Sequence, residues 1–115
     1  MTAKLTLQTR ELDGVTIIAL QGDLTSDGDS ALKNAYHAAN SAGAKHILFD
    51  LEKADYINTS GIAVLITIVM DAKKTDQKVL VCGASPHYKK VFDLVRLPLY
   101  VTMFDTQADA LTSLQ

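Results

Sequence analysis

Hydrophobic and polar positions change rhythm along this chain, and the changes mark out its elements. From Lys4 to Thr9 they alternate, with Leu5 and Leu7 on one side and Lys4, Thr6 and Gln8 on the other. That alternation predicts a half-buried strand at a sheet edge. Asp13-Gly14 is a turn signal, and the more apolar run Val15 to Leu20 predicts a second strand, paired with the first as an antiparallel hairpin. The polar, glycine-bearing stretch Gln21 to Asp29 reads as a loop that ends by capping a helix. Leu32, Ala35, Tyr36 and Ala39 then recur at helical spacing, which predicts a helix from about Asp29 to Ala42 with those residues as its buried stripe. Gly43 stands where a helix end favours a left-handed residue.

His46 to Leu51 predicts a third strand, followed by a loop from Glu52 to Ser60. The run Gly61 to Met70 is rich in Ile and Val and by composition alone would suit a strand. Two features favour a helix instead. Asn58, Thr59 and Ser60, all capping residue types, precede it, and Asp71-Ala72-Lys73-Lys74 continues it without a turn signal. The predicted helix starts at Thr59 or Ser60. Lys78 to Cys82 is the fourth strand. Strands three and four both look buried on two faces, and parallel neighbours of that kind need a crossover, usually helical. Ser85 is placed as N-cap and Pro86 as first helical residue of the next helix, which runs through Leu94 and is expected to bury Val91, Leu94 and Val95. Leu97-Pro98 breaks it. Tyr100 to Phe104 predicts a last short strand, and Asp105 or Thr106 caps a C-terminal helix carrying Ala108, Leu111 and Leu114.

The order β-β-α-β-α-β-α-β-α describes an α/β fold, a single domain over residues 1–115 with about five strands and four helices. A mixed, mostly parallel sheet with right-handed crossovers satisfies it. In such a sheet the loops that leave the C-terminal strand ends gather at one edge. That edge collects Gly22 to Asp29, Glu52 to Ser60 and Gly83 to His87, so Asp23, Thr25, Ser26, Asp27, Asn58, Thr59 and Ser60 become candidate neighbours. The helix start at Thr59 and Ser60 turns free N–H groups and the positive dipole end outward, which suits an anion. A hydroxyl there either caps the helix or accepts a phosphate, and the spacing leaves both open.

Composition narrows the chemistry. A formal net charge of −2, with no cluster of Lys and Arg, argues against nucleic acid as a partner. The lone Cys82 lies in the apolar run Val79-Leu80-Val81-Cys82, reads as a small buried hydrophobe, and has no internal disulfide partner, which fits a reducing compartment. The polar start with Lys4, Arg10 and Glu11 does not resemble a signal peptide, and the ten residues Gly61 to Met70 fall short of the roughly 20 needed to span a bilayer. These features predict a cytoplasmic protein without direct membrane insertion. No glycine-rich phosphate loop or Gly-x-Ser-x-Gly elbow occurs, and His37, His46 and His87 lack metal-ligand spacing, so neither an enzyme nor a cofactor or metal site is expected. The strand His46 to Leu51, with Asp50, slightly resembles a response-regulator phosphorylation strand. The acidic cluster after the first strand and the late-strand Lys of those receivers are missing here, so Asp50 is read as a structural residue ending its strand.

The segment Leu51-Glu52-Lys53-Ala54-Asp55-Tyr56-Ile57-Asn58-Thr59-Ser60-Gly61-Ile62 resembles the signature of STAS domains, shared by sulfate transporters and anti-sigma-factor antagonists. Their pattern is an apolar strand, a short loop, and Asp-Ser/Thr-Ser-Gly-Leu opening a helix. Gly22-Asp23-Leu24 is similar to the Gly-Glu-Leu after their second strand. Val91-Phe92-Asp93-Leu94-Val95-Arg96-Leu97 is similar to their third-helix pattern, which often has Gly where Arg96 stands. The resemblance implies an anti-sigma-factor antagonist that binds an anti-sigma factor, itself a serine/threonine kinase, and so releases a sigma factor. It implies phosphorylation at Thr59, with Ser60 as second choice, and reversal by a PP2C-type phosphatase. The implied partner surface comprises Asp23, Thr25, Ser26, Asp27, Asn58, Thr59, Ser60, Gly61 and Ile62. Asn58 departs from the pattern: it keeps the size and an acceptor oxygen of the usual Asp but loses the charge. The resemblance also admits a subunit of a lipid-transport ABC complex that docks on its ATPase, and the exposed helix start admits a nucleotide or small-anion sensor.

Overall fold

The computed structural model describes residues 4–115. Its strands are β1 (Thr6–Leu12), β2 (Val15–Leu24), β3 (His46–Ile57), β4 (Lys78–Cys82) and β5 (Thr102–Phe104). The helices are α1 (Asp29–Ser41), α2 (Thr59–Lys74), α3 (Pro86–Leu94) and α4 (Gln107–Thr112), with single 3-10 turns at Ser26–Gly28 and Leu97–Leu99. The expected element order holds. The strands lie side by side in sequence order, β1 antiparallel to β2 and every later pair parallel.

Alternation along each strand divides the core in two. Ile18, Leu20, Ile47, Phe49, Val79 and Val81 face a layer built by α1, α2 and α3. Val15, Ile17, Leu48, Leu80 and Cys82 face the other way, where Ala110 of α4 covers them. That second layer is thin and is held by a polar chain across the sheet: Arg10 Nη2 donates to Gln107 Oε1 at 2.6 Å, and Gln107 Nε2 donates to Asp50 Oδ2 at 3.0 Å. None of the described helices is long and apolar enough to cross a membrane.

Several boundaries differ from the sequence expectation. β1 begins later and runs to Leu12. Gln21–Leu24 is not loop but the end of β2, and Glu52–Ile57 is not loop but the end of β3. These extensions pair with each other beyond the last β3–β4 pair, Asp50 with Cys82. Gln21-Gly22-Asp23 and Glu52 to Asp55 show no apolar alternation, so no hydrophobic period betrays them, although Leu24 and Ile57 at their ends are buried. Asp50 therefore does not end its strand; its Oδ1 instead accepts the Glu52 N–H at 3.0 Å. The β2–β3 register shifts between Ala19 and Gln21 and again between Gly22 and Asp23. Gly22, at φ 93, supplies the left-handed backbone that the second shift uses.

α3 is the largest correction. It buries Tyr88 and Phe92, not Leu94 and Val95, which are 82% and 40% exposed. Val91 is only partly buried against the core. α3 is docked through the stripe set by Tyr88 and Phe92, four residues apart, and Leu94 falls off that stripe. In the last segment β5 starts at Thr102 rather than Tyr100, and in α4 Ala110 is buried while Ala108 is exposed. Arg96 ends the α3 region in the left-handed conformation, φ 62 and ψ 26. A side chain there costs on the order of 1 kcal/mol relative to glycine.

Cys82 is 1% exposed, and burial, followed by the neighbouring Asp50 carboxylate, pushes its thiol up to about 12. Since the thiolate is the reactive form, this thiol should be inert. In the native protein a thiol reagent such as Ellman's should leave it unlabelled at pH 8, with labelling appearing in step with urea unfolding. Labelling of the native protein at the rate of a free thiol would contradict the burial.

Candidate functional site

The candidate site is the start of α2, where the chain leaves β3. Asn58 is the N-cap: its backbone is extended, at φ −88 and ψ −179, and its Oδ1 accepts the Gly61 N–H at 2.9 Å. The Asn58 carbonyl accepts the Ile62 N–H at 2.9 Å and opens the helical ladder. Asn58, not Thr59, therefore does the capping. Thr59 and Ser60 are the first two helical residues, both exposed, and neither hydroxyl hydrogen-bonds to another described residue.

Gly61 is where the helix start meets the sheet. A Cβ there would lie 2.5 Å from the Leu24 carbonyl oxygen and 2.9 Å from Leu24 Cγ. The same Leu24 carbonyl accepts the Asn58 N–H at 3.1 Å. Only a residue without a side chain lets α2 approach β2 this closely. From the other side Tyr88 of α3 reaches under the loop, and its hydroxyl oxygen accepts the Ile57 N–H at 2.8 Å in a buried setting. Leu24 and Tyr88 both escape sequence reasoning. The first sits in a stretch that reads as loop, and the second carries no signal beyond an apolar helix position.

The β2 end brings acidic groups alongside. Asp23 is 8% exposed and pairs in register with Tyr56, which is itself exposed, while Leu24 pairs with Ile57. Thr25 caps the 3-10 turn, its Oγ1 accepting the Asp27 N–H at 3.4 Å. Asp23, Thr25 and Asp27 share a cleft of about 410 Å³ with Lys4, Leu5 and Gly28. The Ser26–Gly28 turn packs against α2, so the two halves adjoin. Asp29 is engaged by Lys33 one helical turn on, at 3.4 Å, as expected for a helix-start acid. Ser26 is exposed on the turn, and Ile62 is partly buried against the core. The predicted neighbours are thus brought together as a capped helix start beside an acidic cleft. Of the third loop, Ser85 caps α3 through the Tyr88 N–H at 3.3 Å, and His87 stays exposed. Among the described residues no three His, Cys, Asp or Glu side chains converge as a metal would need.

The profile of the STAS domain family matches residues 6–110. The chain belongs to the STAS family. This STAS domain is 28% identical over 91 residues to BtrV of Bordetella bronchiseptica, a protein named as an anti-sigma factor antagonist, covering 79% of this chain and 77% of that one. Among solved structures it is similar to an anti-sigma factor antagonist from Mycobacterium paratuberculosis, with a TM-score of 0.82 at 22% identity over 98% of this chain and 97% of that one. It is also similar to SpoIIAA, a Bacillus cell fate determinant solved in its phosphorylated form, with a TM-score of 0.78 at 17% identity over 96% of this chain and 100% of that one. At those identities the structural likeness speaks to the fold.

Assignment of the cap to Asn58 has a direct energetic consequence. Asn58→Ala should lower stability to urea by about 1 kcal/mol, the usual cost of losing an N-cap. Thr59→Ala should stay within about 0.5 kcal/mol of wild type, as an exposed substitution. The reverse ranking would show that Thr59 holds the helix start.

Proposed function

We propose that this STAS domain is an anti-sigma factor antagonist that binds an anti-sigma factor with serine/threonine kinase activity through the α2 start and the adjoining β2 end, and that phosphorylation of Thr59 switches the binding off. The observation that carries the reading is the division of labour at the helix start. Asn58 takes the cap, so the Thr59 hydroxyl is exposed and unbonded at the positive end of α2. The names of BtrV and the Mycobacterium protein support the role, and the phosphorylated form of SpoIIAA supports the type of control.

The physics of the switch follows from charge and place. A phosphate adds about −1.5 to −2 charge and three strong acceptor oxygens. At the first helical residue it meets free N–H groups and the positive dipole end, an arrangement worth roughly 0.3–1 kcal/mol, so the fold tolerates it. Pressed into an interface beside Asp23 and Asp27, the same charge meets like charges and is stripped of water, which opposes binding. A PP2C-type phosphatase would restore the uncharged hydroxyl. Asn58 in place of Asp removes one carboxylate from beside the acceptor while retaining the cap.

A small-anion sensor would use the same helix start, and Asp27 in the adjoining cleft does not favour it. A lipid-transport subunit docking on its ATPase would use the same helix start, and nothing in the described residues favours it.

The test is binding to the anti-sigma factor kinase of the same host, measured by calorimetry. Thr59→Asp should weaken binding at least about tenfold, a loss of roughly 1.4 kcal/mol. Its thermal midpoint should stay within about 4 °C of wild type, the shift expected for 1 kcal/mol or less. Thr59→Asp binding as tightly as wild type would sink the switch.

A further inference from the structure

The Thr59 hydroxyl hydrogen-bonds to no other described residue, so its place is set by the backbone that carries it. That backbone is held from within the turn, from β2 and from α3. The Gly61 N–H donates to Asn58 Oδ1, and the Asn58 N–H donates to the Leu24 carbonyl. From α3, the Tyr88 hydroxyl oxygen accepts the Ile57 N–H at 2.8 Å.

The third bond answers a need that the sheet itself leaves unmet. Successive N–H groups along a strand point to opposite sides. The Asn58 N–H goes to β2, so the Ile57 N–H turns to the side of β3 on which β4 lies. β4 has already ended there, its last pair with β3 being Cys82 with Asp50. Ile57 is buried, and a buried N–H without an acceptor is costly. Tyr88 supplies the acceptor, and its own position is fixed. Ser85 Oγ accepts the Tyr88 N–H at 3.3 Å, so the residue lies in the capped first turn of α3. Its ring packs with buried Phe92, centroids 6.2 Å apart, and edge-on to His87 at 4.8 Å.

We infer that Tyr88 is a positioning residue for the phosphate acceptor: through the Ile57 N–H it fixes the end of β3, and so the place of Thr59 two residues on. The inference rests on the proposed function and adds α3 to the machinery of the switch. Transfer joins Thr59 Oγ1 to the γ-phosphorus of the nucleoside triphosphate that the kinase holds. The bond from that phosphorus to the bridging oxygen breaks, the diphosphate leaves with the electron pair, and the hydroxyl proton passes to a base of the kinase. Catalysis of this kind is mostly positioning, and a misplacement of about 1 Å costs roughly a hundredfold. An acceptor with no hydrogen bond of its own depends for that precision on the segment beneath it.

Tyr88→Phe tests the role, because it keeps the ring and removes only the oxygen. Hydrogen exchange should show the Ile57 amide exchanging at least about tenfold faster than in wild type. Phosphorylation of Thr59 by the anti-sigma factor kinase of the same host should lose at least about tenfold in kcat with little change in KM. Ile17→Ala is the control for stability alone, since Ile17 is buried on the opposite face of the sheet, under α4. It should lower the thermal midpoint at least as far and leave kcat within about twofold of wild type. Equal losses of kcat in Tyr88→Phe and Ile17→Ala would reduce Tyr88 to a structural residue and overturn the inference. So would Tyr88→Phe modified as fast as wild type, or an Ile57 amide protected as in wild type. Those results leave the proposed function standing. A wild type that the kinase does not modify overturns the proposed function, and the positioning role with it.

Discussion

The contact between the start of α2 and the end of β2 constrains everything around it. One carbonyl oxygen, that of Leu24, accepts the Asn58 N–H and also occupies the space that a side chain at Gly61 would need. Three segments meet at that point: the β2 end, the β3 end and the first turn of α2. Tyr88 closes it from below by taking the Ile57 N–H, so α3 is fastened to the same place. The Ile57, Asn58 and Gly61 N–H groups are thereby used internally, and the Thr59 and Ser60 N–H groups and side chains are left for solvent or a partner. The geometry that makes the helix start rigid is also what makes its hydroxyls available.

Charge is divided along the molecule in a way that matches this arrangement. Residues 71–100 hold six of the eleven Lys and Arg but three of the thirteen Asp and Glu, and the β2 end and the α2 approach are correspondingly acidic. An uncharged hydroxyl among acidic neighbours is a sensitive place to add a phosphate, because the helix dipole protects the fold from the added charge while a desolvated interface has no such relief. Asn58 fits that logic. It performs the cap that an Asp would perform and contributes no further negative charge beside the acceptor.

The fold was legible wherever burial imposes a period. The hairpin at Asp13-Gly14, the Leu32–Tyr36–Ala39 stripe, the Ser85-Pro86 helix start and the apolar strands His46–Leu51 and Lys78–Cys82 all show in the residues because each buries a face. Legibility failed where backbone pairing acts without burial. Gln21–Leu24 and Glu52–Ile57 are strands because they hydrogen-bond to each other; Leu24 and Ile57 are buried at their ends, but Gln21-Gly22-Asp23 and Glu52 to Asp55 show no apolar alternation that would record it. Leu94 and Val95 failed for the opposite reason, being apolar without being core. At the site, residue type correctly marked a cap but could not divide the work among three adjacent capping residues; only the Asn58 to Gly61 hydrogen bond does so.

The central claim is that the Thr59 hydroxyl, freed by the Asn58 cap, is the modified group. Intact-mass analysis of the protein purified from its native host under several growth conditions, with fragmentation to place any modification, addresses it most directly. The account predicts a fraction of molecules that carries a single phosphate on Thr59 and varies with condition. A phosphate on Ser60 instead, or an unmodified chain under every condition, would contradict it.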